Sequence, residues 1–529
     1  MNMWKKIMVI SCSLFFASCN NWLDLQPEGE ASASDLFSTA DGYRSVLNGV
    51  YKAMGTAPLY GMELQFGMVD CMAQAVKPYS QSDETWVKTY DAVRAYDYAN
   101  VDVKAKVNQI WGTAFNAIAN ANVLIQNVEH ASSDLFKMGD TERKMILGEA
   151  YACRALLHFD LLRLFAPAPV NDDGGNYVPY IDKFPEILGT GISVPAFLEK
   201  VEKDLLLARE LVAEFDTATI LGHGVNASGE SRFHNELDPN ISGQNTSESV
   251  DDFYQGRGYR LSYYSISALL ARVYQYAGKH EQAFNEAKKV IEAKVPYVTG
   301  GETELYRDEF DGFWDDNWEN RQDLKRVSSL IFAVYNENAY ENDQNGLNLA
   351  SYFMKRSSGM QSGRWFVIET VVQKIFETAG GKAEEGDFRC KKMIYKADGQ
   401  FEISGKWYLS DDVKIRDKHL TILPVIRLTE MQYIVAEYYA RSGNLAEAYK
   451  VLNDIRHQRD LWEDLQIQND YNAFQNDLVR DAQREWVSEG QLFYLYKRLN
   501  APIIRNVNGD ASILQRNEAI LPIPTEESN

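Results

Sequence analysis

The chain has 529 residues and a formal net charge of −21, with 54 Lys and Arg against 75 Asp and Glu. So acidic a chain repels nucleic acid and anionic lipid, and suits neutral ligands such as uncharged glycans or peptides. An apolar content of 45% is ample for the core of one large domain or two ordinary ones.

Residues 1–24 come first and carry the most information. Lys5 and Lys6 precede an apolar run, Ile7 to Phe16, and then come Ala17, Ser18 and Cys19. The run is far below the ~20 residues a membrane-spanning helix needs. The pattern is that of a bacterial lipoprotein export signal, with Phe16 where Leu is usual. Removal of residues 1–18 leaves Cys19 as an acylated N-terminus, tethering the protein to a membrane by lipid. It also removes Lys5 and Lys6, taking the charge from −21 to −23. The alternative is an ordinary secretory signal with an incidental Cys.

The spacing predicts a first helix over Asp35 to Met54, where Leu36, Phe37, Tyr43, Val46, Leu47, Val50 and Tyr51 recur at helical intervals. Asp70 follows an apolar entry to a loop, and a structural role is expected for it. A polar stretch with Tyr79, Gln81, Asp83, Trp86 and Tyr90 comes next. Long helices are predicted over Ala105 to Val128, Thr141 to Phe165 and Val194 to Val212. Pro167, Pro169 and the run Asp172-Asp173-Gly174-Gly175 end the helical block before the last of these. Their spacing does not meet an EF-hand loop, so a turn is expected. His223 to Gly258, rich in Gly, Ser, Asn and Asp, reads as loop.

A repeat then appears. Ala271, Tyr274, Gly278, Ala283 and Phe284 have counterparts at identical offsets in Ala436, Tyr439, Gly443, Ala448 and Tyr449. Small Ala residues let antiparallel helices approach, Gly permits the turn, and the aromatic fills the gap to the next pair. This is the pattern of tetratricopeptide-type hairpins, which must stack to bury their faces. Tyr297 to Arg364 lacks helical periodicity and contains a predicted strand at Leu330 to Tyr335. Phe388 to Ile426 reads as short strands and turns. The fold class is therefore mainly α, a scaffold of tetratricopeptide-like hairpins with long loop-rich insertions and a few short strands. Apart from Cys12 and Cys19, only Cys71, Cys153 and Cys390 remain; they lack metal spacing and are expected to be small buried hydrophobes.

Several short motifs occur in a fixed order. They are Trp22-Leu23-Asp24 after Cys19, Gly148-Glu149-Ala150-Tyr151 with Arg154-Ala155, and Tyr259-Arg260 leading to Ala271-Arg272-Val273-Tyr274. Further on come Asp387-Phe388-Arg389, Arg427-Leu428 with Glu430, Leu452-Asn453-Ile455-Arg456, Arg484-Glu485, Glu489-Gly490, Lys497-Arg498 and Leu521-Pro522-Ile523-Pro524. In this order the chain resembles the SusD/RagB outer-membrane lipoproteins of Bacteroidetes over nearly its whole length. It departs from their pattern at Gln491-Leu492, at Tyr494 and at Trp365-Phe366-Val367. The resemblance implies a single SusD-like domain over residues 19–529, with scaffold at about 35–296 and 427–500 and a ligand-binding insertion at about 297–426. It also implies a lipid-anchored outer-membrane protein facing the exterior. Such a protein binds glycan and delivers it to a SusC-like TonB-dependent outer-membrane transporter. Some relatives capture peptides instead.

Sugar rings expose C–H patches that flat aromatic rings cover, while amides, carboxylates and guanidiniums bond the hydroxyls. Two loop clusters have this mixture: Tyr79, Trp86 and Tyr90 in the first, and Tyr306, Trp314, Asn317 and Trp318 in the second. The resemblance places sugar contacts in these two regions. Each Trp equally fits a packing role. A glycoside hydrolase needs two carboxylates at a set separation; Asp308, Glu309, Asp311, Asp315, Asp316 and Glu319 supply candidates. No nucleophile-elbow, Walker or zinc signature accompanies them, so no catalysis is expected. A protein-binding tetratricopeptide adaptor is the remaining alternative. No cofactor is implied, and a structural calcium cannot be assigned.

Overall fold

The computed structural model describes residues 33–186, 189–243, 250–308, 325–339, 349–353, 364–368, 375–376, 386–397, 401–407, 421–505 and 510–524. Eleven helices of eight or more residues lie among them: α1 (Ala40–Met54), α2 (Glu84–Arg94), α3 (Val101–Val128), α4 (Asp140–Phe165), α5 (Val194–Ala218), α6 (Tyr263–Tyr276), α7 (His280–Ile291), α8 (Leu428–Arg441), α9 (Leu445–His457), α10 (Tyr471–Glu485) and α11 (Leu492–Leu499). Many begin where a side-chain oxygen takes an orphan N–H. Thr39 accepts from Gly42, Asn100 from Asp102 and Val103, Asn444 from Glu447, and Asp470 from Asn472.

The predicted repeat is present as two antiparallel pairs, α6–α7 and α8–α9. Gly278 (φ +75°) and Gly443 (φ +84°) occupy the left-handed turn positions that side chains avoid. Ala271, Ala283, Ala436 and Ala448 are fully buried. The aromatic at the last repeat position fills the gap to the next layer both times. Phe284 stacks on Tyr438 at 4.3 Å, and Tyr449 meets Phe474 of α10 at 5.4 Å. In α4, a Cβ on Gly148 would lie 2.7 Å from Val212 and 2.8 Å from the Ala208 carbonyl, so only glycine lets α5 come this close.

Six strands of four or more residues are described: β1 (Val76–Ser80), β2 (Leu330–Tyr335), β3 (Arg364–Ile368), β4 (Ile394–Ala397), β5 (Phe401–Ser404) and β6 (Ile422–Arg427). β2 coincides with its predicted span. The strands form separate antiparallel pairs, β1 with β3, β2 with β6, and β4 with β5. Three expectations need correction. The first helix, predicted from Asp35 to Met54, is interrupted after Leu36 and restarts at Ala40, where Thr39 caps it. His223 to Gly258 contains short helices at Ile220–Asn226, Gly229–His234 and Pro239–Ser242, capped by Thr219, Ser228 and Asp238. The small polar residues that looked like loop are helix caps. The piece starting at Phe388 begins as a short helix, Phe388–Met393, capped by Asp387. Cys71 and Cys153 are buried as expected, and Cys390 is half-buried.

The motif arginines and carboxylates converge in the interior. Arg257 joins Glu149 of α4 to Asp216 of α5, and Glu149 also accepts from Tyr51 of α1 at 2.9 Å. Arg154 is bidentate to Asp204 at 2.7 and 2.8 Å, and Arg272 to Glu430 at 2.7 and 2.6 Å. Glu485 is held by Arg326 at 2.7 Å, Arg459 at 3.0 Å and Arg389 at 3.3 Å, and Arg389 also pairs with Asp387 and Asp481. Burial raises the Glu485 pKa, but Arg459, Arg326 and Arg389 outweigh it and hold the carboxyl well below the usual range. Replacing Glu485 by Gln takes one carboxylate from three buried guanidiniums, leaving Asp308 to Arg326 and Arg459, and Asp387 and Asp481 to Arg389. Urea unfolding should show a loss of about 3–5 kcal/mol, and a change under 1 kcal/mol would deny the residue this role. Burial likewise raises Glu437, but Arg498 and Arg441 bring it down to about 2. A depressed folded pKa gives stability that is present above the unfolded value and lost as pH falls through the folded one. The Glu437→Gln variant should therefore be less stable at pH 7. Its acid-unfolding curve should be flatter between pH values of about 4.5 and 2.

Candidate functional site

The first predicted aromatic cluster was expected on a loop and is instead built on β1 and α2, because Val76–Ser80 pairs with β3 and Asp83 caps a helix. The β1–β3 register sets Tyr79 opposite Trp365 and Ser80 opposite Arg364. Tyr79 is half-buried, with its ring 4.1 Å from Phe401 and 6.1 Å from Trp365. Asp83 caps α2 by accepting from the Trp86 N–H at 2.9 Å and pairs with Arg364. One turn into α2, Trp86 is half-buried. It stacks on Tyr352 at 6.0 Å and meets Phe366 edge-on at 5.1 Å. Its indole N–H is buried without an acceptor among the described residues.

Tyr90 and Tyr306 were expected at the ligand and must be corrected. Tyr90 is fully buried and donates to Glu63 at 2.8 Å, with Lys106 over its ring at 4.6 Å. Tyr306 is 3% exposed beneath the guanidinium of Arg232, 4.4 Å from the ring centroid. Both rings are buried against protein groups, which leaves them no exposed face for a ligand. Asp70 is structural as expected. It is fully buried, accepts from the Gly490 N–H at 3.2 Å, and burial pushes its pKa well up. Asp308 is also committed, pairing with Arg326 and Arg459. Trp314, Asn317, Trp318 and Cys19 lie outside the described residues. Among the described residues no group of three or more His, Cys, Asp or Glu could hold a metal ion.

A second surface, which the sequence did not single out, has the clearer shape. A groove of about 870 Å³ opens between α1 and the C-terminal end of β2. Tyr335, the last residue of β2, is 45% exposed in it. The ring of Tyr259 stands edge-on to Tyr335 at 5.3 Å, and Phe233 packs edge-on against Tyr259 at 5.1 Å. The floor is braced by hydrogen bonds. The Tyr259 hydroxyl and Thr421 share one at 2.9 Å, and Asn336 donates to the Gly55 carbonyl at 2.9 Å. On the α1 side, Arg260 donates to Asn48 at 2.6 Å and lies 4.8 Å over the Tyr51 ring. Asn235, in a left-handed conformation at the end of a short helix, accepts from Gly256 at 3.0 Å. The exposed rim carries Lys52, Asp252, Glu337 and Asn338. Rings, amides and charges of both signs thus surround one open volume. None of Tyr79, Trp86, Tyr90 or Tyr306 lines it. The available sequence signal was local, a tyrosine ending a strand and followed by Asn336-Glu337-Asn338.

With this geometry in view, known proteins were compared. Residues 21–223 match the SusD-like family described as starch-binding and associating with the outer membrane. The SusD-like protein P2 of Formosa agariphila is 24% identical over 184 residues. That match covers 34% of this chain and spans about a third of the relative's length (34%). A SusD superfamily protein of Bacteroides thetaiotaomicron has the same fold at a TM-score of 0.65, with 20% identity and coverage of 93% and 97% of the two chains. A surface glycan-binding protein A of the same organism, solved with laminarihexaose, shares the fold at a TM-score of 0.63, with 13% identity and coverage of 93% and 97%. A SusD-like carbohydrate-binding protein of Bacteroides vulgatus gives 0.62, with 16% identity and coverage of 93% and 96%. The mainly helical scaffold expected from the sequence is the fold these proteins share.

The two roles open to Tyr90 separate in one variant. Tyr90→Phe should lower stability by about 1–3 kcal/mol, the cost of leaving the buried Glu63 short of a donor. It should leave ligand affinity unchanged in calorimetry. A selective affinity loss at unchanged stability would return Tyr90 to the binding surface.

Proposed function

We propose that this chain, which belongs to the SusD/RagB family, captures neutral oligosaccharide outside the cell and delivers it to a SusC-like TonB-dependent outer-membrane transporter. In this reading residues 1–18 are removed and residues 19–529 act as one unit, anchored through lipid on Cys19. No helix among the described residues is long and apolar enough to cross a membrane.

The observation that carries the reading is the groove at Tyr335. An exposed tyrosine face beside bracing aromatics offers a platform for sugar C–H patches. Asn48, Asn235, Asn338 and Gln255 bring both donors and acceptors to the same volume, as hydroxyls require. Rim charges of both signs favour neither a cationic nor an anionic ligand. The two lining carboxylates, Asp252 and Glu337, are both exposed, unlike a general acid held in an apolar pocket. The family description and the relative bound to laminarihexaose point to the same ligand class.

A second reading keeps the sugar on Tyr79 and Trp86, with Trp314, Asn317 and Trp318. It is favoured by the half-exposure of Tyr79 and Trp86 beside the Asp83–Arg364 pair. Its weakness is that both described rings already lie against protein rings. Calorimetry with laminarihexaose and a panel of soluble neutral polysaccharides separates the readings. Tyr335→Ala should weaken binding by ~10- to 100-fold, or roughly 1–3 kcal/mol for an anchor residue, with an unchanged thermal midpoint. Trp86→Ala should leave affinity intact. The reverse pattern moves the ligand to the β1–α2 face. Silence across the panel, or turnover of a sugar, defeats the capture reading.

A further inference from the structure

A cavity of about 50 Å³ lies where α4, α6, α8 and α11 meet and shares no lining residue with the groove. It is lined by an unusual set of atoms. Among the described residues, five buried donor groups around it have no partner: Arg163 Nε, Arg272 Nη1, Gln275 Nε2 and the hydroxyls of Tyr276 and Tyr494. All five residues are at most 5% exposed. Unmet polar groups at this depth are costly, and five on one cavity is not a random scatter.

The acceptors nearby are already committed. Both oxygens of Glu430 take hydrogen bonds from Arg272, at 2.7 and 2.6 Å. Glu437 accepts from Arg498 at 2.9 and 2.7 Å and from Arg441 at 2.9 Å. Gln275 Oε1 faces His280 Nδ1 at 3.1 Å, and Tyr433 donates away to Asp481. The three guanidiniums each have their own carboxylate, Asp160 for Arg163, Glu430 for Arg272 and Glu437 for Arg498. Among the lining residues, what remains unpartnered is a surplus of N–H and O–H.

Water suits this lining poorly, because it must place two hydrogens of its own. The phenol oxygens could accept them, but their own hydrogens would then be left over. A small anion accepts from every group and has nothing to donate. We propose that this cavity is a binding site for a small monovalent inorganic anion of chloride size. The ion offsets the stranded donors and ties α4 and α6 of the helical stack to α11.

The test uses the full mature chain and bromide as the probe. The thermal midpoint is measured at constant ionic strength while sodium gluconate is exchanged for sodium bromide. Crystals grown in bromide are examined by anomalous scattering. The midpoint should rise with bromide as mass action requires, and an anomalous peak should stand within hydrogen-bond distance of Arg163 and Tyr494. The double variant Tyr276→Phe, Tyr494→Phe removes two donors and no charge, and should weaken the apparent bromide affinity at least tenfold. Should that variant not fold, the anomalous map of the unaltered chain still decides. Ordered waters in place of the peak overturn the proposal. So does a peak with no bromide dependence of the midpoint, which marks binding at crystal concentration only.

Discussion

A buried carboxylate has to find cations, and Glu485 finds them at separations of 159, 96 and 26 residues, in Arg326, Arg389 and Arg459. Thr429 adds a fourth donor at 3.0 Å. Each of these groups would be costly alone in the interior, and together they are neutralised and bonded. The same logic recurs at Arg257 with Glu149 and Asp216, at Arg272 with Glu430, and at Arg427 with Glu489. Buried pairs of this kind often add no more to stability than apolar side chains of equal volume. A misplaced helix would leave a bare charge inside, so such pairs penalise misplacement.

That constraint connects parts of the chain that the repeat alone would leave independent. Stacked hairpins interact only with their neighbours. Arg272 carries a contact from α6 to α8, and Arg427 ties the end of β6 to Glu489 beyond α10. Arg326 does the same for the segment entering β2. β2 ends at Tyr335, so the exposed ring of the groove sits on a strand fixed at its start by the Glu485 cluster and along its length by β6. Across the groove, α1 is fixed by Tyr51 on Glu149. The strand end on one side of the proposed binding surface and the helix on the other thus both rest on buried polar contacts, which is the support a preformed site needs.

The helices and the repeat were legible because their signals are local. Period, caps and turn glycines all fall within a few residues of what they determine, and the strand at Leu330–Tyr335 was read to the residue. The motifs were legible as spellings but not as contacts. Arg484-Glu485 and Asp387-Phe388-Arg389 look like surface charge, yet the structure brings them into one cluster inside the protein. The ligand tyrosines failed for the opposite reason. Tyr90 and Tyr306 have polar sequence neighbours, but the residues that surround them in space, Glu63 with Lys106 and Arg232 with Tyr264, come from elsewhere in the chain. The groove was hidden because its walls come from α1, residues 233–260 and 335–338, and Thr421, and only the fold brings these distant pieces around one volume.

The arginine placement also bears on what the groove can attract. Arg154, Arg257, Arg272, Arg389, Arg427 and Arg459 are all at most 5% exposed and spent on internal carboxylates. Those pairs cancel within the core. Arginines spent inside leave fewer exposed cations to offset acidic side chains in a chain whose net charge is −21. Within roughly 8–10 Å, the range before salt screens it, that net negative charge opposes a polyanion approaching the groove. At the groove itself Lys52 and Arg260 face Asp252 and Glu337, so the local field is nearly balanced. A negative approach to a balanced, ring-floored site selects ligands held by shape, stacking and hydroxyl hydrogen bonds over those held by charge. On that argument, sulfated or uronic-acid polymers are poorer ligands than neutral glycans of the same length, whatever their linkage.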